Sequence, residues 1–336
     1  MQNTRPVDLV TGGTGLIGAN LVRLLQRGRR SVRLLVRKDS KISLFDDRSN
    51  LQFVVGDITD LDSLTAASVG VENVYHLAAK VKITRRMTEG IWRTNVIGTE
   101  NVIRAAQVNR VKRLIYCSTV DALGLPEGPE SATEQTPWNW DLLGVENAYA
   151  RSKYEAHQRV LAAARQGLDA VLVCPAFVFG EYDSHPSSGR LIQAIAQRRL
   201  PGYPLGGNNF VDVRDVTQGM LSAAELGRAG EAYILGGSNL TYREIFSIIA
   251  AIVHVPSPRF PLPYPIAMMA GWFGELYERI SGRDAGINLA AVQVSYLRHY
   301  YDSSKAIRQL GMPQSPIETS IERAAAWLRE QNMLSP

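Results

Sequence analysis

Cysteine, long apolar runs and excess charge are all scarce in this sequence of 336 residues. Its two cysteines, Cys117 and Cys174, each end a short apolar run typical of a strand, so we interpret them as buried thiols. No signal peptide is recognisable before the first apolar run, and we therefore expect a cytoplasmic protein.

The segment 266–280 is rich in Met and aromatic residues, but glycines and a glutamate interrupt it. It is too short to span a bilayer, so we expect no stable membrane insertion. Core packing, the wall of an apolar substrate pocket and attachment to a membrane surface remain open for it.

The charge of the chain is also modest. The formal net charge is +5, and basic residues are scattered outside the short cluster Arg27–Arg30. That cluster is typical of a solvated helix end, so we expect no nucleic-acid partner, while the overall sign suits a ligand that carries phosphate. No metal site is expected. A hydrophobic fraction of 45% and a charged fraction of 21% indicate an ordinary globular protein. The length allows one large α/β domain or two closely associated ones.

A glycine-rich motif follows the first apolar run, Val7–Val10, and reads Thr-Gly-Gly-Thr-Gly-Leu-Ile-Gly over residues 11–18. Apolar residues over 19–27 then recur at helical spacing, which gives the order of strand, glycine turn and helix that a dinucleotide-binding fingerprint requires. Glycine permits positive φ and a close approach to a pyrophosphate, and the helix start offers free N–H groups. We therefore predict that a dinucleotide contacts Gly12, Thr14, Gly15, Leu16, Ile17 and Gly18.

The end of the second predicted strand, Ser31–Val36, carries information about the cofactor. An NAD site usually places a carboxylate there to hold the ribose hydroxyls, but here Arg37 and Lys38 follow at once, with Lys41 nearby. A guanidinium can bind a 2′-phosphate bidentately, whereas a carboxylate would repel it. The alternative is a surface basic pair at a strand end. The sequence favours NADP over NAD.

Polar and small residues follow the next predicted strands. Asp57, after the strand Leu51–Val55, could accept a hydrogen bond from the adenine amino group or cap the helix that begins near Leu61. Small residues after the strand Val74–Leu77 leave space for a ribose or a nicotinamide. Within that strand we interpret His76 as a packed core histidine.

A long helix is predicted over Arg85–Asn109, and it contains Asn95. A buried amide needs partners, so this side chain could brace the neighbouring strands or hold a water in a proton relay.

Tyr149 and Lys153 are four residues apart on a helix predicted to run to about Arg165, so they lie on one face. An ammonium beside the phenol, together with an oxidised nicotinamide ring, favours the phenolate and lowers its pKa from about 10. The tyrosine could then deliver a proton to a carbonyl oxygen, which the hydroxyl of Thr119 or Ser118 would hydrogen-bond. This spacing alone occurs on many exposed helices; its position after the glycine motif and the Ser-Thr turn favours the functional interpretation.

As a set, these motifs resemble the extended short-chain dehydrogenase/reductases, and residues 32–37 and 233–237 look most like the bacterial branch related to dihydroflavonol reductase. The resemblance implies an α/β fold, a doubly wound parallel Rossmann sheet, and NADPH-dependent reduction of a ketone or aldehyde. It assigns Tyr149 as the acid/base, Lys153 as its partner and a ribose ligand, and Thr119 as the carbonyl-polarising hydroxyl. We add Asn95 to the catalytic set. The cofactor residues expected beyond the glycine motif are Arg37, Lys38, Asp57, Ile58, Ala78, Ala79, Lys80, Ser118, Tyr149, Lys153 and Pro175.

The sequence departs from relatives that act on nucleotide sugars. They usually carry an arginine two residues before the aromatic of a segment like 210–213, where this chain has Asn208, although Arg190 or Arg214 could substitute. This weakens the alternative of a sugar-nucleotide epimerase or dehydratase. A non-catalytic NADPH sensor is a further alternative, but such regulators commonly lose the tyrosine. The composition of 266–280 favours an apolar or aromatic carbonyl substrate.

Two domains and a dimer complete the expectations. The helices over 85–109 and 149–165 would, by the resemblance, pair with their copies across a two-fold axis in a homodimer. The cofactor domain is expected to comprise residues 1–180 with about 209–236, and the substrate domain about 181–208 with 237–336.

Overall fold

Eleven strands and twelve α-helices are found in the computed structural model, which describes residues 6–282 and 285–334. The strands are β1 (Val7–Thr11), β2 (Ser31–Val36), β3 (Leu51–Val55), β4 (Asn73–His76), β5 (Arg113–Cys117), β6 (Ala170–Pro175), β7 (Phe177–Phe179), β8 (Gly207–Asp212), β9 (Ala232–Leu235), β10 (Ser238–Thr241) and β11 (Arg298–His299). The helices are α1 (Leu16–Arg27), α2 (Leu61–Ala67), α3 (Glu89–Trp92), α4 (Gly98–Val108), α5 (Ala148–Arg165), α6 (Gly189–Ala196), α7 (Val213–Leu226), α8 (Tyr242–Ile252), α9 (Tyr264–Ser281), α10 (Leu289–Ser295), α11 (Ser304–Leu310) and α12 (Ile317–Glu330).

The main sheet is parallel and has seven strands in the order β3-β2-β1-β4-β5-β6-β9, which confirms the predicted doubly wound α/β fold. Its register places Val10 of β1 between Leu34 of β2 and Tyr75 of β4. Successive residues of β1 point to opposite faces, so Leu9 and Val10 belong to different apolar clusters. One cluster includes residues of α2, α4 and α5, and the other includes residues of α1, α7 and α11.

A second sheet lies outside the main one and contains β7, β8, β10 and β11. The segment of about residues 209–236 was expected to return to the main sheet. Its first part, β8, belongs to the second sheet, and only α7 and β9 contribute to the main sheet and its apolar cluster. Conversely, α11 was expected in the substrate domain but packs its Ala306 and Leu310 into the cluster with α7. A third apolar cluster joins the second sheet to α6, α8 and α12.

The predicted helix over 85–109 differs from the observed one in its start and its regularity. The observed helix begins at Glu89, and the side chain of the preceding Thr88 accepts a hydrogen bond from the Ile91 amide. Residues Arg93–Ile97 form a π-helical turn between α3 and α4. Ser238 and Asn239 pair with β8 as part of β10, and Thr241 caps α8 in a capping box with Glu244.

Both cysteines are buried, as predicted: Cys117 is 8% exposed and Cys174 is fully buried. Burial raises the pKa of the Cys117 thiol to about 11. In the part of the chain that the structure describes, no helix combines the length and the apolar character needed to cross a membrane.

Candidate active site

The predicted cofactor residues follow the carboxyl ends of parallel strands. Because β3, β2, β1, β4, β5 and β6 are successive neighbours in the sheet, these ends form one continuous edge. The winding reverses between β1 and β4, which is where open parallel sheets bind ligands. In order along the edge lie Asp57 and Ile58 after β3, Arg37 and Lys38 after β2, Gly12–Gly18 after β1, Ala78–Lys80 after β4, Ser118 and Thr119 after β5, and Pro175 at the end of β6.

The glycine turn is tightly packed on one side and open on the other. Gly12 has a φ of +72°, and a Cβ there would lie 2.5 Å from the Ala78 amide nitrogen. A Cβ on Gly18 would overlap the Gly12 carbonyl oxygen. Gly15 is exposed at the N-terminus of α1, where no side chain of the described residues caps the helix and the first turn holds no acidic residue. These features fit a pyrophosphate, which needs close backbone approach and free N–H groups. Thr14, Leu16 and Ile17 lie in this turn and the first turn of α1.

The basic pair after β2 is at the surface. The Arg37 side chain is 69% exposed, and its Nε lies 3.7 Å from a carboxylate oxygen of Asp39. Exposed ion pairs of this kind are weak, so the guanidinium is free to exchange this partner for a phosphate. The Arg37 amide donates a 2.9 Å hydrogen bond to Ser40 Oγ, which fixes the turn that also carries Lys38.

Asp57 does not cap a helix. Its Oδ1 accepts hydrogen bonds from the amide and the hydroxyl of Thr59, at 2.8 and 2.9 Å, whereas the carboxylate of Asp60 caps α2. The capping alternative for Asp57 was therefore wrong. The Ile58 side chain is buried and faces Gly98 at the start of α4, where a Cβ would come within 2.6 Å of Ile58 Cδ1.

Asn95 braces the loop after β4. Its Oδ1 accepts a 2.7 Å hydrogen bond from the Lys80 amide, and its Nδ2 donates to the Lys80 carbonyl at 3.1 Å and to Ser152 Oγ at 2.9 Å. The Ser152 hydroxyl in turn donates to the Tyr149 carbonyl at 2.8 Å. Of the two roles considered for Asn95, the geometry supports the brace, since its amide connects the cofactor loop to the helix that carries the tyrosine.

His76 has the environment of a packed core histidine. Its Nδ1 lies 2.7 Å from Thr11 Oγ1, its Nε2 lies 3.1 Å from Thr99 Oγ1, and it is 1% exposed. Burial lowers the pKa of His76 to about 3, so the ring is neutral at physiological pH. The Thr11 hydroxyl also accepts a hydrogen bond from the Ala78 amide at 3.3 Å, so the histidine supports the edge of the cofactor loop.

The phenol of Tyr149 is buried beside Thr119 and Asp121. Thr119 is within hydrogen-bonding reach of it, and the Thr119 hydroxyl also accepts a hydrogen bond from the Asp121 amide at 3.2 Å. Burial raises the pKa of Tyr149 well above its usual range, and the Asp121 carboxylate adds to this effect, while the hydrogen bond with Thr119 opposes it. The predicted lowering of this pKa is therefore not a property of the protein alone, since desolvation dominates.

Lys153 lies beneath the end of β5. It is 2% exposed, its Nζ donates a 2.8 Å hydrogen bond to the Cys117 carbonyl, and the same atom lies 4.4 Å from the centroid of the Tyr116 ring. Burial lowers the pKa of Lys153 to about 8. The ammonium is thus held in place by backbone and aromatic contacts, one helical turn from Tyr149.

Ser118 and Thr119 have different surroundings. The Ser118 hydroxyl lies 2.9 Å from Nδ1 of His157, which is 3% exposed. This contact engages Ser118 inside the protein. The chain thus favours Thr119 over Ser118 as the hydroxyl that faces a substrate oxygen.

Sequence reasoning missed an acid–histidine pair beside the tyrosine, in which the histidine is buried and the Asp121 side chain is 23% exposed. The Oδ1 of Asp121 lies 3.8 Å from Nδ1 of His299, which is 1% exposed and packs against the Trp140 ring. Burial raises the pKa of Asp121 to about 6 and lowers that of His299 to about 4. The only sequence signal was the position of Asp121 within the Ser-Thr turn.

A cavity of about 540 Å³ opens next to this region, between the loop before α5 and the helices α9 and α10. Met268 is the member of the 266–280 segment that lines it. The large apolar residues of that segment point to the surface instead, as shown by Trp272 (53% exposed) and Phe273 (57% exposed). The interpretations of this segment as core or as a pocket wall were therefore wrong for most of its length. The cavity is lined by Arg85, Asp141, Gly144, Val145, Glu146, Met268, Leu289 and Gln293.

The fold, the glycine turn and the Thr-Tyr-Lys group define an NAD(P)-dependent oxidoreductase of the extended short-chain type. The model of the NAD dependent epimerase/dehydratase family matches residues 9–236, and the chain belongs to this family.

Relatives and solved structures agree with this assignment. The chain is 36% identical to the "Putative dihydroflavonol 4-reductase" of Synechocystis sp., over 95% of this chain and 94% of the relative. It is 31% identical to sterol demethylase protein B of Methylococcus capsulatus, over 97% and 99% of the two chains. The crystal structure of gox2253 superposes with a TM-score of 0.86 at 33% identity, covering 98% of this chain and all of the other.

Proposed function

We propose that this protein is an NADPH-dependent reductase of a ketone or aldehyde. The observation that carries the proposal lies at the carboxyl end of β5, on the edge of the sheet that holds the glycine turn: the Tyr149 phenol contacts the Thr119 hydroxyl there, and the Lys153 ammonium binds the Cys117 carbonyl. Bound at this edge, NADPH would supply a hydride to the carbonyl carbon.

The residues of the chain would handle the proton and the developing negative charge. Tyr149 would donate its phenolic proton to the carbonyl oxygen, and the raised pKa keeps that proton on the phenol until the oxygen becomes basic. In the free protein the Thr119 hydroxyl hydrogen-bonds the Tyr149 phenol, and when a substrate binds it would turn its proton to the same carbonyl oxygen. The buried ammonium of Lys153 would stabilise the tyrosinate that remains.

The preference for NADPH rests on the end of β2. Arg37 and Lys38 are exposed next to the glycine turn, in the part of the edge where the adenosine ribose of a dinucleotide would lie. Both would attract a 2′-phosphate.

An apolar or aromatic carbonyl compound is the proposed substrate. Two relatives are named for a dihydroflavonol and for a sterol, both of which are bulky and largely apolar. Val145, Met268 and Leu289 give the cavity before α5 an apolar side, and Val145 also packs in an apolar cluster with Trp140 and Ala150. The partly exposed Asp121 carboxylate, beside the buried His299, would suit a polar group on such a substrate.

Sugar-nucleotide chemistry is less well supported. Asn208 occupies the position of the diphosphate-binding arginine, and it hydrogen-bonds Tyr242 within the protein. Arg214, one of the two possible substitutes, pairs with Glu181 at 2.8 Å.

The test is a panel of carbonyl compounds monitored by NADPH absorbance, with Tyr149→Phe as the matched variant. The variant should lose about 10²- to 10⁴-fold in kcat, the usual contribution of general acid catalysis, while its NADPH affinity changes little. A variant that retains more than about a third of wild-type kcat would defeat the role of Tyr149. Turnover of UDP- or dTDP-sugars with the ketones inert would favour the epimerase alternative.

A further inference from the structure

The helix α9 packs on the protein through its smallest residues. Ala267, Gly271 and Gly274 are its buried positions. A Cβ on Gly271 would lie 3.1 Å from the Leu289 amide nitrogen, and one on Gly274 would overlap the Ile287 carbonyl. The small residues are therefore what allows α9 to lie close against the segment that leads into α10.

The opposite face of α9 is large, apolar and exposed. Its side chains include a tryptophan, a phenylalanine and a tyrosine, and isolated apolar residues of this size are ordinary at a surface, whereas a contiguous row marks an interaction site. The row comprises Ile266, Met269, Trp272, Phe273, Tyr277 and Ile280, which are 50–77% exposed, the highest value being that of Ile280. We call this row the outer face of α9.

The outer face carries no negative charge. Both glutamates of α9 are held toward the protein, because Glu275 Oε1 accepts from the Leu289 amide and Glu278 Oε1 accepts from the Ala285 amide, each at 3.2 Å. Arg279, in contrast, is exposed. In an ordinary surface helix the apolar side chains face the protein and the charged ones face water. The helix α9 has the opposite arrangement.

A basic segment lies beside this helix. Residues 80–87 run past the start of α10, where Asn288 Nδ2 donates a 2.9 Å hydrogen bond to the Ile83 carbonyl. Arg85 of this segment and Met268 of α9 line the same cavity. The exposed residues of the segment are mostly basic and otherwise include apolar ones: Lys80, Val81, Lys82, Arg85, Arg86 and Met87. Arg85 is in an ion pair with Glu146 at 2.8 Å, so the positive charge that the segment offers to a ligand comes from Lys80, Lys82 and Arg86.

We propose that the outer face of α9 docks on the surface of an anionic lipid bilayer, with the helix parallel to the membrane plane. Aromatic and aliphatic side chains would enter the boundary between headgroups and acyl chains, while the basic segment 80–87 would contact anionic headgroups. The cavity beside α9 would then open toward the bilayer. This attachment is peripheral and does not depend on the proposed reaction.

The charge around the outer face distinguishes a bilayer from a second copy of the chain. In a two-fold dimer each patch meets its own copy, so the basic segments of both subunits would be brought toward the same interface and would repel. An anionic bilayer complements the same charge. The observations therefore favour the bilayer.

The test is sedimentation of the full chain with lipid vesicles. One set contains only phosphatidylcholine, and the other contains an equimolar mixture of phosphatidylcholine and phosphatidylglycerol. We expect the protein to sediment with the mixed vesicles, to bind the neutral ones more weakly, and to be released progressively as salt screens the basic segment. Equal binding to both sets, or binding to neither, would overturn the proposal.

Two double variants compare the outer face with apolar residues exposed elsewhere. Phe273→Ser with Ile280→Ser removes side chains that are 57% and 77% exposed, and Leu205→Ser with Leu226→Ser removes side chains that are 64% and 60% exposed. The α9 variant should lose at least about tenfold in vesicle affinity because it buries less apolar surface, while the control retains wild-type affinity and both unfold at the wild-type temperature. Equal losses in the two variants would refute a specific role for α9. A dimer that only the α9 variant dissociates, without vesicle binding, would assign the face to a second copy.

Discussion

Replacing Lys153 with methionine should abolish turnover yet make the folded state less dependent on pH. The lysine is 2% exposed, and burial lowers its pKa from 10.5 to about 8. Between these two values the unfolded chain holds the proton that the folded chain has released. Stability of the wild-type protein therefore rises with pH across this window. The Lys153→Met variant has no such proton, so it lacks this contribution.

The magnitude follows from the same shift. A difference of roughly 2.5 pKa units corresponds to about 3 kcal/mol, which is the cost of holding the charge in the folded state at pH 7. From pH 7 to pH 10 the free energy of unfolding of the wild type, relative to that of the variant, should rise by about 2–3 kcal/mol. The comparison removes the effect of every other group that titrates in both proteins.

Urea unfolding of both proteins at a series of pH values between 7 and 10 measures this quantity. Lys82→Met, at an exposed position in the chain, is the matched control and should follow the wild type at every pH. A gap between wild type and Lys153→Met that stays constant over this range would refute the buried ammonium. A gap that grows in the opposite direction would refute the sign of the argument.

Three further predictions concern the cofactor, the brace and the assembly. Arg37→Ala should raise the Kd for NADPH about ten- to a hundredfold and leave the Kd for NADH nearly unchanged, because one charge-assisted contact is worth roughly 1.5–3 kcal/mol. Wild-type protein that binds NADH as tightly as NADPH would contradict this prediction. Asn95→Ala removes three hydrogen bonds at a site that is 1% exposed and should lower the free energy of unfolding by about 2–4 kcal/mol, with a loss of NADPH affinity. Asn139→Ala also removes three hydrogen bonds at a site that is 3% exposed and should cost a similar free energy without that loss; equal losses of NADPH affinity in the two variants would defeat the brace. Sedimentation at micromolar concentration should show a homodimer through the helices of 89–108 and 148–165; a monomer alone would contradict the assembly.

The placement of the expected cofactor residues along one edge of the sheet could be predicted because its determinants are local. Each strand of the main sheet is a short apolar run, and the residues that follow it reach one edge through the parallel topology. Gly12 and Gly18 illustrate this, since the packing that requires glycine involves the loop itself and the neighbouring strand end. Sequence spacing also placed Tyr149 and Lys153 on one helix.

The Asp121–His299 pair, the orientation of α9 and the pKa of Tyr149 depend on contacts that the local sequence pattern does not encode. Asp121 and His299 are far apart in the chain, and β11, which carries the histidine, exists only by pairing with β8. In α9 the apolar pattern does not reveal which side is buried, because its small residues face the protein and its large ones face outward. The pKa of Tyr149 could not be foreseen either, since it depends on how completely the folded chain excludes water.

The central claim is that the site transfers hydride to a carbonyl carbon while Tyr149 supplies the proton. The most direct measurement is reduction of a turned-over ketone with NADPH carrying deuterium at the transferred position, followed by mass spectrometry and NMR of the product. The account predicts one deuterium per molecule, bound to the carbinol carbon in a single configuration, with the hydroxyl proton coming from solvent. A product that contains no deuterium, or a substrate that is converted without net oxidation of NADPH, would contradict it.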